Sequence, residues 1–305
     1  MNVAPTDIHI DTILREKEFS FSCEIVPPRN GDALVKTLDK VDVLNSAGID
    51  FISITIGAGG SLRGGTIPIA HLINDQLGLP VIAHFVCMES TVQEIENSIV
   101  DHAYLGISNI LALRGDPPTG VFSDYKAGPN QHQYAYQLID QCMGLKRGEY
   151  LLRKGFDSEE SVHKGEPISL CIGAAAYPED DENGVEYFAK KVACGASYGI
   201  TQMTYAPEAY GRFVKGLESQ NALVPVLPGI RIITNEKQMN FISKNFKIPI
   251  PTSYQEIIKK GDQQEISDYI ANLVLEFKSN GAPGVQFFVM NEQDIVFDVI
   301  QSLKK

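Results

Sequence analysis

Polar residues stand where four separate apolar runs end, and together they form an acid–base and hydrogen-bonding set. Glu24 lies in the run 19–26, which stops at Pro27-Pro28. Thr55 lies in the run 51–56, just before Gly57. The run 109–113 leads into Arg114-Gly115-Asp116-Pro117-Pro118, and the run 199–204 carries Gln202. A carboxyl group flanked by Phe21, Cys23, Ile25 and Val26 is costly to bury as an anion, so its pKa rises unless it is paired. Glu24 is therefore either a structural acid bonded to a neighbouring strand or loop, or a carboxylic acid kept protonated near neutrality for general-acid work. Arg114 and Asp116 flank a glycine that permits close backbone approach, as a rim ion pair or as part of a ligand cradle. His84, within Ile82-Ala83-His84-Phe85, reads as a satisfied core histidine or a site residue. Lys190-Lys191 reads as a solvated helix face or an anion contact. Pro178-Glu179 after Tyr177 reads as a turn.

These residues need a scaffold that brings strand ends together. The chain alternates short β-branched runs with longer helical segments. The strands read as 19–26, 51–56, 80–87, 109–113, 168–175, 199–204, 224–227 and 284–290. Between them lie segments of helical spacing: 32–46, 67–77, one opening at Thr91 with Glu94 as its capping-box partner, and one from about 131. Others read as helices at 207–219, 236–245 and 262–279, with a last one closing the chain. Eight such units fit a closed (β/α)8 barrel better than an open doubly wound sheet, with polar strand ends meeting at one mouth. No linker rich in Pro, Gly or Ser interrupts the chain, so residues 1–305 read as a single domain. The stretches 117–130 and 146–166 exceed ordinary connections; the first reads as a functional loop, the second as a functional loop or a solvated insertion.

Composition narrows the classes. With 305 residues, 44% of them hydrophobic, a large core is available. A net charge of -12 argues against a nucleic-acid or anionic-membrane surface, yet allows a locally bound anion. No apolar run approaches the roughly 20 residues of a membrane span. The first fifteen residues lack the basic start and apolar stretch of a secretory signal, and the five cysteines form no CxxC pair. These features predict a cytoplasmic protein with reduced cysteines. No Gly-rich dinucleotide or P-loop motif occurs, and no linear metal-ligand pattern is evident, so no metal is expected.

Seven motifs, in order, then carry a resemblance. They are Ser22-Cys23-Glu24-Ile25-Val26-Pro27-Pro28-Arg29, Ser53-Ile54-Thr55, Ala83-His84, Ala112-Leu113-Arg114-Gly115-Asp116, Ala176-Tyr177-Pro178-Glu179, Gly195-Ala196 with Ile200-Thr201-Gln202, and Pro228-Gly229-Ile230. Over most of its length the chain resembles the 5,10-methylenetetrahydrofolate reductase family. The resemblance implies a barrel with non-covalent FAD across its mouth, contacted at Thr55, His84, Leu113, Arg114, Gly115, Asp116, Tyr134, Ala176 and Tyr177, with Lys190 and Lys191 near the phosphates. It implies ping-pong transfer of hydride from NADH or NADPH through the flavin to the folate, for methionine synthesis or another methyl-transfer route. Glu24 matches the family's general acid, Asp116 an acid beside flavin and pterin, and Gln202 a pterin contact. Phe241 or Ile242 matches an apolar folate contact, the alignment slipping there by one residue.

Departures from the family pattern are also legible. Gly184 and Tyr187 stand where bacterial relatives often place polar contacts to FAD. Glu292 stands where a basic residue would favour the folate's anionic tail, and 146–166 is an insertion relative to short bacterial enzymes. Electron delivery by an iron–sulfur or flavoprotein partner, and a cofactor-free folate-binding methyl-transfer barrel, remain alternatives. A homo-oligomer is equally open.

Overall fold

The computed structural model describes residues 7–56, 64–116, 126–152, 162–180 and 183–304. Parts of both long connections, 117–125 and 153–161, lie outside them, as does 57–63. Among the described residues, eight parallel strands close into a barrel: β1 (Ser20–Ile25), β2 (Phe51–Ile54), β3 (Val81–Val86), β4 (Asn109–Leu113), β7 (Cys171–Ala176), β8 (Tyr198–Met203), β9 (Val226–Arg231) and β10 (Gly284–Phe288). Their order around the barrel is β1-β10-β9-β8-β7-β4-β3-β2. The strands are joined by α2 (Val35–Ala47), α3 (Thr66–Leu77), α4 (Val92–Tyr104), α5 (Ala135–Lys146), α6 (Gly184–Ala193), α7 (Pro207–Ser219), α8 (Glu236–Phe246), α9 (Thr252–Lys260) and α10 (Gln263–Ser279), with α11 (Gln293–Leu303) last. The fold class is the one that the alternating runs predict.

Strand alternation divides the side chains into two sets. One set, including Cys23, Ile25, Ile52, Ile54, Val81, Ala83, Ile110, Ile172, Val285 and Phe287, packs outward against the helices. The other, including Phe51, Ile82, Leu111, Cys171, Tyr198, Ile200 and Leu227, fills the barrel. Large and small residues interlock there: an added Cβ at Gly173 would lie 2.3 Å from the Tyr198 ring. The Tyr198 hydroxyl donates to the Ile110 carbonyl at 3.0 Å. A polar layer lies on the β1–β2–β10 side, where Ser22 and Gln286 are hydrogen-bonded and Gln286 donates to Ser53 Oγ at 2.7 Å.

Three features depart from the sequence reading. A short helix, α1 (Ile10–Glu16), falls where the sequence shows no periodic element, and its Ile10 and Leu14 join the interior cluster as a plug. Asn109 places it: its amide oxygen accepts from Ile10 N at 2.9 Å while its amide nitrogen donates to Asp7 Oδ2 at 2.8 Å. Helix α9 also went unread, and α5 starts at Ala135, after the predicted position near 131. The described ends of the tract 146–166, residues 146–152 and 162–166, lie between the end of α5 and the start of β7, on the amino side of the barrel. They form a small antiparallel pair, β5 (Glu149–Tyr150) with β6 (His163–Lys164). Glu96 anchors it by accepting from Leu151 N at 2.8 Å.

If α1 is a structural plug, Leu14→Ala removes a side chain that is only 3% exposed. The expected cost is about 2–5 kcal/mol, the range for truncating a packed leucine. Denaturant unfolding measures it, and a loss below about 0.5 kcal/mol would place Leu14 among surface positions and dismiss the plug.

Candidate active site at the barrel mouth

Glu24 is the last inward-facing residue of β1, in register with Ser53 of β2 and Phe288 of β10. Its apolar sequence neighbours Cys23 and Ile25 turn outward into the helical layer, so they do not enclose the carboxylate. What faces it is His84 of β3, whose Nε2 lies 3.3 Å from Glu24 Oε2. The two form an ion pair whenever the ring is protonated, which supplies the partner that a carboxylate at this depth requires. Both are largely shielded, with side-chain exposures of 8% for His84 and 16% for Glu24.

Two buried polar atoms at this rim lack hydrogen-bond partners among the described residues: Thr55 Oγ1 and His84 Nε2. The His84–Glu24 approach is close in distance but outside hydrogen-bonding geometry. Buried groups left without partners are costly, and in a concave site they are atoms a ligand can satisfy. Across the mouth the charge is positive. Lys191 of α6 donates to the Ala175 carbonyl at 2.7 Å and stands 5.6 Å from the Tyr177 ring centroid. Burial, reinforced by the Arg114 charge, lowers the Lys191 pKa to about 8. Lys190 sits 3.8 Å over the Tyr136 ring, which is stacked on Tyr134 at 5.4 Å. The two lysines thus differ: Lys191 is partly buried against the end of β7, whereas Lys190 stays exposed on the helix surface with its ammonium over the Tyr136 ring.

Gly115 explains the Arg114-Gly115-Asp116 turn. Its φ is +94°, and a Cβ there would lie 2.4 Å from Val86 Cγ1, so a glycine is needed on both counts. Leu113 packs on the interior cluster, Asp116 is exposed, and Ala176 faces the outer core, leaving its backbone for any ligand contact. Gly184 has a related use: a Cβ would lie 2.3 Å from the Tyr177 carbonyl oxygen, so the start of α6 closes directly on that turn. Tyr187 is exposed on the same helix.

The opposite rim is shaped by a bulge. The β8–β9 register shifts between Ile200 and Met203, and Gln202 lies in that interval. A bulge re-aims a side chain relative to the strand. Gln202 Oε1 accepts from Met203 N at 2.8 Å, and Gly229 N donates to Thr201 Oγ1 at 2.9 Å across the irregularity. The two candidate positions in α8 differ in exposure: Phe241 is 59% exposed, whereas Ile242 is 4% exposed and packs in the outer core.

Arg231, at the end of β9, was not singled out in the sequence. Its guanidinium donates to Phe288 O at 2.7 Å and to Glu292 Oε1 at 3.1 Å. Glu292 also accepts from Gln238 Nε2 at 2.9 Å and from the backbone N–H groups of Met290 and Asn291 at 3.0 Å each. The glutamate that replaces an expected base is thus a fully engaged rim clamp, not a bare charge facing the mouth. The signal available in sequence was the acid at Glu292, a departure whose partner Arg231 only the fold reveals.

Comparison with known proteins agrees with this geometry. The family model for methylenetetrahydrofolate reductase matches residues 9–304. The chain is 26% identical over 302 residues to methylenetetrahydrofolate reductase (NADH) 1 of Arabidopsis thaliana, covering 96% of this chain and 50% of the relative. It is 26% identical over 298 residues to 5,10-methylenetetrahydrofolate reductase of Escherichia coli K12, covering 94% and 91%. The corresponding protein of Buchnera aphidicola is 27% identical over 291 residues, covering 91% and 89%. The chain thus spans about half the length of the plant relative and most of the bacterial ones. An uncharacterized protein from Clostridium thermocellum that binds two copies of 5-methyl-5,6,7,8-tetrahydrofolic acid shares the fold, with a TM-score of 0.61, 15% identity, and coverage of 97% of this chain and 99% of that one. The chain belongs to the methylenetetrahydrofolate reductase family.

Proposed function

We propose that this member of the family reduces 5,10-methylenetetrahydrofolate to 5-methyltetrahydrofolate, with FAD held non-covalently at the barrel mouth and NADH or NADPH as donor in a ping-pong sequence. The observation that carries the reading is the pairing of two buried atoms without a hydrogen bond among the described residues, Thr55 Oγ1 and His84 Nε2, with a cationic rim at Arg114, Lys190 and Lys191. A group with hydrogen-bonding edges and a linked pyrophosphate fits both features. Bound there, FAD would supply a two-electron hydride carrier between nicotinamide and folate.

The chain's own residues supply the rest. Lys191 and Arg114 offer positive charge to the pyrophosphate, and Lys190 is held near it by the Tyr136 ring. Gly115 lets the backbone approach closely. As general acid, Glu24 would pass a proton to a ring nitrogen of the substrate, opening the five-membered ring to an iminium at the methylene carbon. His84, beside it, stabilises the carboxylate that remains. Asp116 places negative charge where the iminium cation develops. Gln202 offers its amide to the pterin, and Phe241 presents an exposed ring to the apolar part of the folate.

Two measurements test this. Cofactor released from the purified or reconstituted protein is expected to chromatograph as FAD; FMN would remove the pyrophosphate role of the lysines. Glu24→Gln is expected to leave nicotinamide-driven flavin reduction intact while slowing methylenetetrahydrofolate reduction at least about 10²-fold, the lower range for general-acid catalysis. Equal loss of both half-reactions, on protein with full flavin content, would deny Glu24 the acid's role.

A pH dependence follows from Lys191. With its pKa lowered to about 8, the side chain is charged below that pH and neutral above it. An anionic cofactor prefers the charged form, so its affinity is expected to be level below pH 8 and to fall toward about tenfold per unit above it. Lys191→Met should bind more weakly at pH 7 and lose that slope. A slope retained in the variant would assign the titration to another group.

A further inference from the structure

At the amino end of the barrel, remote from the mouth, three side chains of different donor type converge. His9 is the N-cap residue of α1, Asp11 lies in its first turn, and Cys171 is the first residue of β7. One donor atom from each lies within 4.8 Å of the other two. The Cys171 thiol donates to Asp11 Oδ1 at 3.4 Å, and His9 Nε2 is 2.9 Å from Ser169 Oγ. Ser197 Oγ stands 3.4 Å from the same sulfur. Nothing in the chemistry at the mouth uses this group.

We propose that His9, Asp11 and Cys171 form a binding site for a divalent transition-metal ion of the zinc class, which staples α1 to the barrel floor. Bond lengths near 2.0–2.3 Å to N, O and S place tetrahedral ligands about 3.3–3.8 Å apart. The observed sulfur–oxygen separation of 3.4 Å already falls in that range. Mixed imidazole, carboxylate and thiolate donors select zinc-like ions over magnesium or calcium, which prefer oxygen alone. As the sulfur–metal bond forms, the thiol proton leaves to solvent, and no electron is transferred.

The surroundings are organised as an outer shell. Arg15 holds Asp11 through Oδ2 at 3.3 Å, leaving Oδ1 to face the sulfur. Ser169 fixes the His9 ring by one nitrogen, the usual device for orienting a ligating imidazole. Asn109 caps the start of α1 and so fixes the backbone between the two helical ligands. Cys171 is 1% exposed, while His9 and Asp11 are only part-buried, so an ion can enter from solvent with water in the fourth position. The nearby cations Lys146 and Arg15 oppose a bare ion, but an Asp carboxylate and a Cys thiolate together neutralise a divalent charge. The ligands come from positions 160 residues apart, so one ion would join the plug to the strand across half the chain.

The test uses the full chain, reduced and stripped with a chelator, then titrated with Co2+ and with Zn2+. One equivalent of Co2+ is expected to give a sulfur-to-cobalt charge-transfer band. Zn2+ at a hundredfold excess over Kd is expected to raise Tm by about 4 °C for a chain of this length. His9→Ala and Cys171→Ala should each weaken binding at least about 10²-fold, more than loss of an outer-shell partner costs. Because His9 is part-buried, its variant keeps the test usable even if Cys171→Ala folds poorly. Cys194→Ser should change nothing. Binding without a charge-transfer band, binding unaltered in His9→Ala, or no stoichiometric binding would each overturn the site.

Discussion

Closure of the barrel on a two-residue side-chain period is the constraint from which the site follows. Each strand sends alternate residues outward to the helices and inward to a shared lumen, and a closed sheet has no edge on which the inward set could escape. Below, the lumen is filled by Tyr198, Phe51, Ile82, Leu111 and Leu227, and stopped by Ile10 and Leu14 of α1. The inward residues near the carboxyl ends, Glu24 and His84 among them, are left to face the open end. The mouth is polar because it is the end that the core does not fill.

That geometry also separates charge. Glu24 and His84 sit together at the ends of β1 and β3. Lys191 lies near Arg114 and Tyr177, on the β4–β7 side. Between β9 and β10, Arg231 and Glu292 neutralise one another in a network that also holds Gln238 and two backbone N–H groups. The third group uses its hydrogen-bonding capacity internally. A buried ion pair with all its hydrogen bonds made is a device for position, and here it ties the β9 and β10 rims to α8, the helix that carries Phe241.

Much of this was legible in the sequence, because periodicity and strand-end polarity are local. Eight apolar runs, each followed by helical spacing, are enough to suggest the barrel, and Glu24, Thr55, Arg114-Gly115-Asp116 and Gln202 mark its mouth. What escaped was set by contacts between distant residues. Helix α1 has seven residues, too few for a periodic signal, and it is positioned by Asn109 about a hundred residues later. Whether Phe241 or Ile242 faces the mouth depends on the rotation of α8, which a one-residue slip in alignment erases. Glu292 looks like an anomaly alone and makes sense only with Arg231. The His9, Asp11 and Cys171 group has no linear spacing to read, since the fold alone brings its members together.

Asp7 at the floor and the Thr55 and His84 side chains at the mouth show two treatments of a buried polar group. At the floor, Asp7 is buried yet receives hydrogen bonds from Asn74, Val81 N and Asn109, so its carboxylate is satisfied by protein alone. Burial still dominates at Asp7 and raises its pKa to about 6. At the mouth, among the described residues, Thr55 Oγ1 and His84 Nε2 make no hydrogen bond, although His84 stays 3.3 Å from Glu24 Oε2. A ligand seated at the mouth, as proposed, would complete those hydrogen bonds. The stability of the floor, secured by Asn109 and the α1 plug, is what lets the rim carry that incompleteness in a fixed geometry.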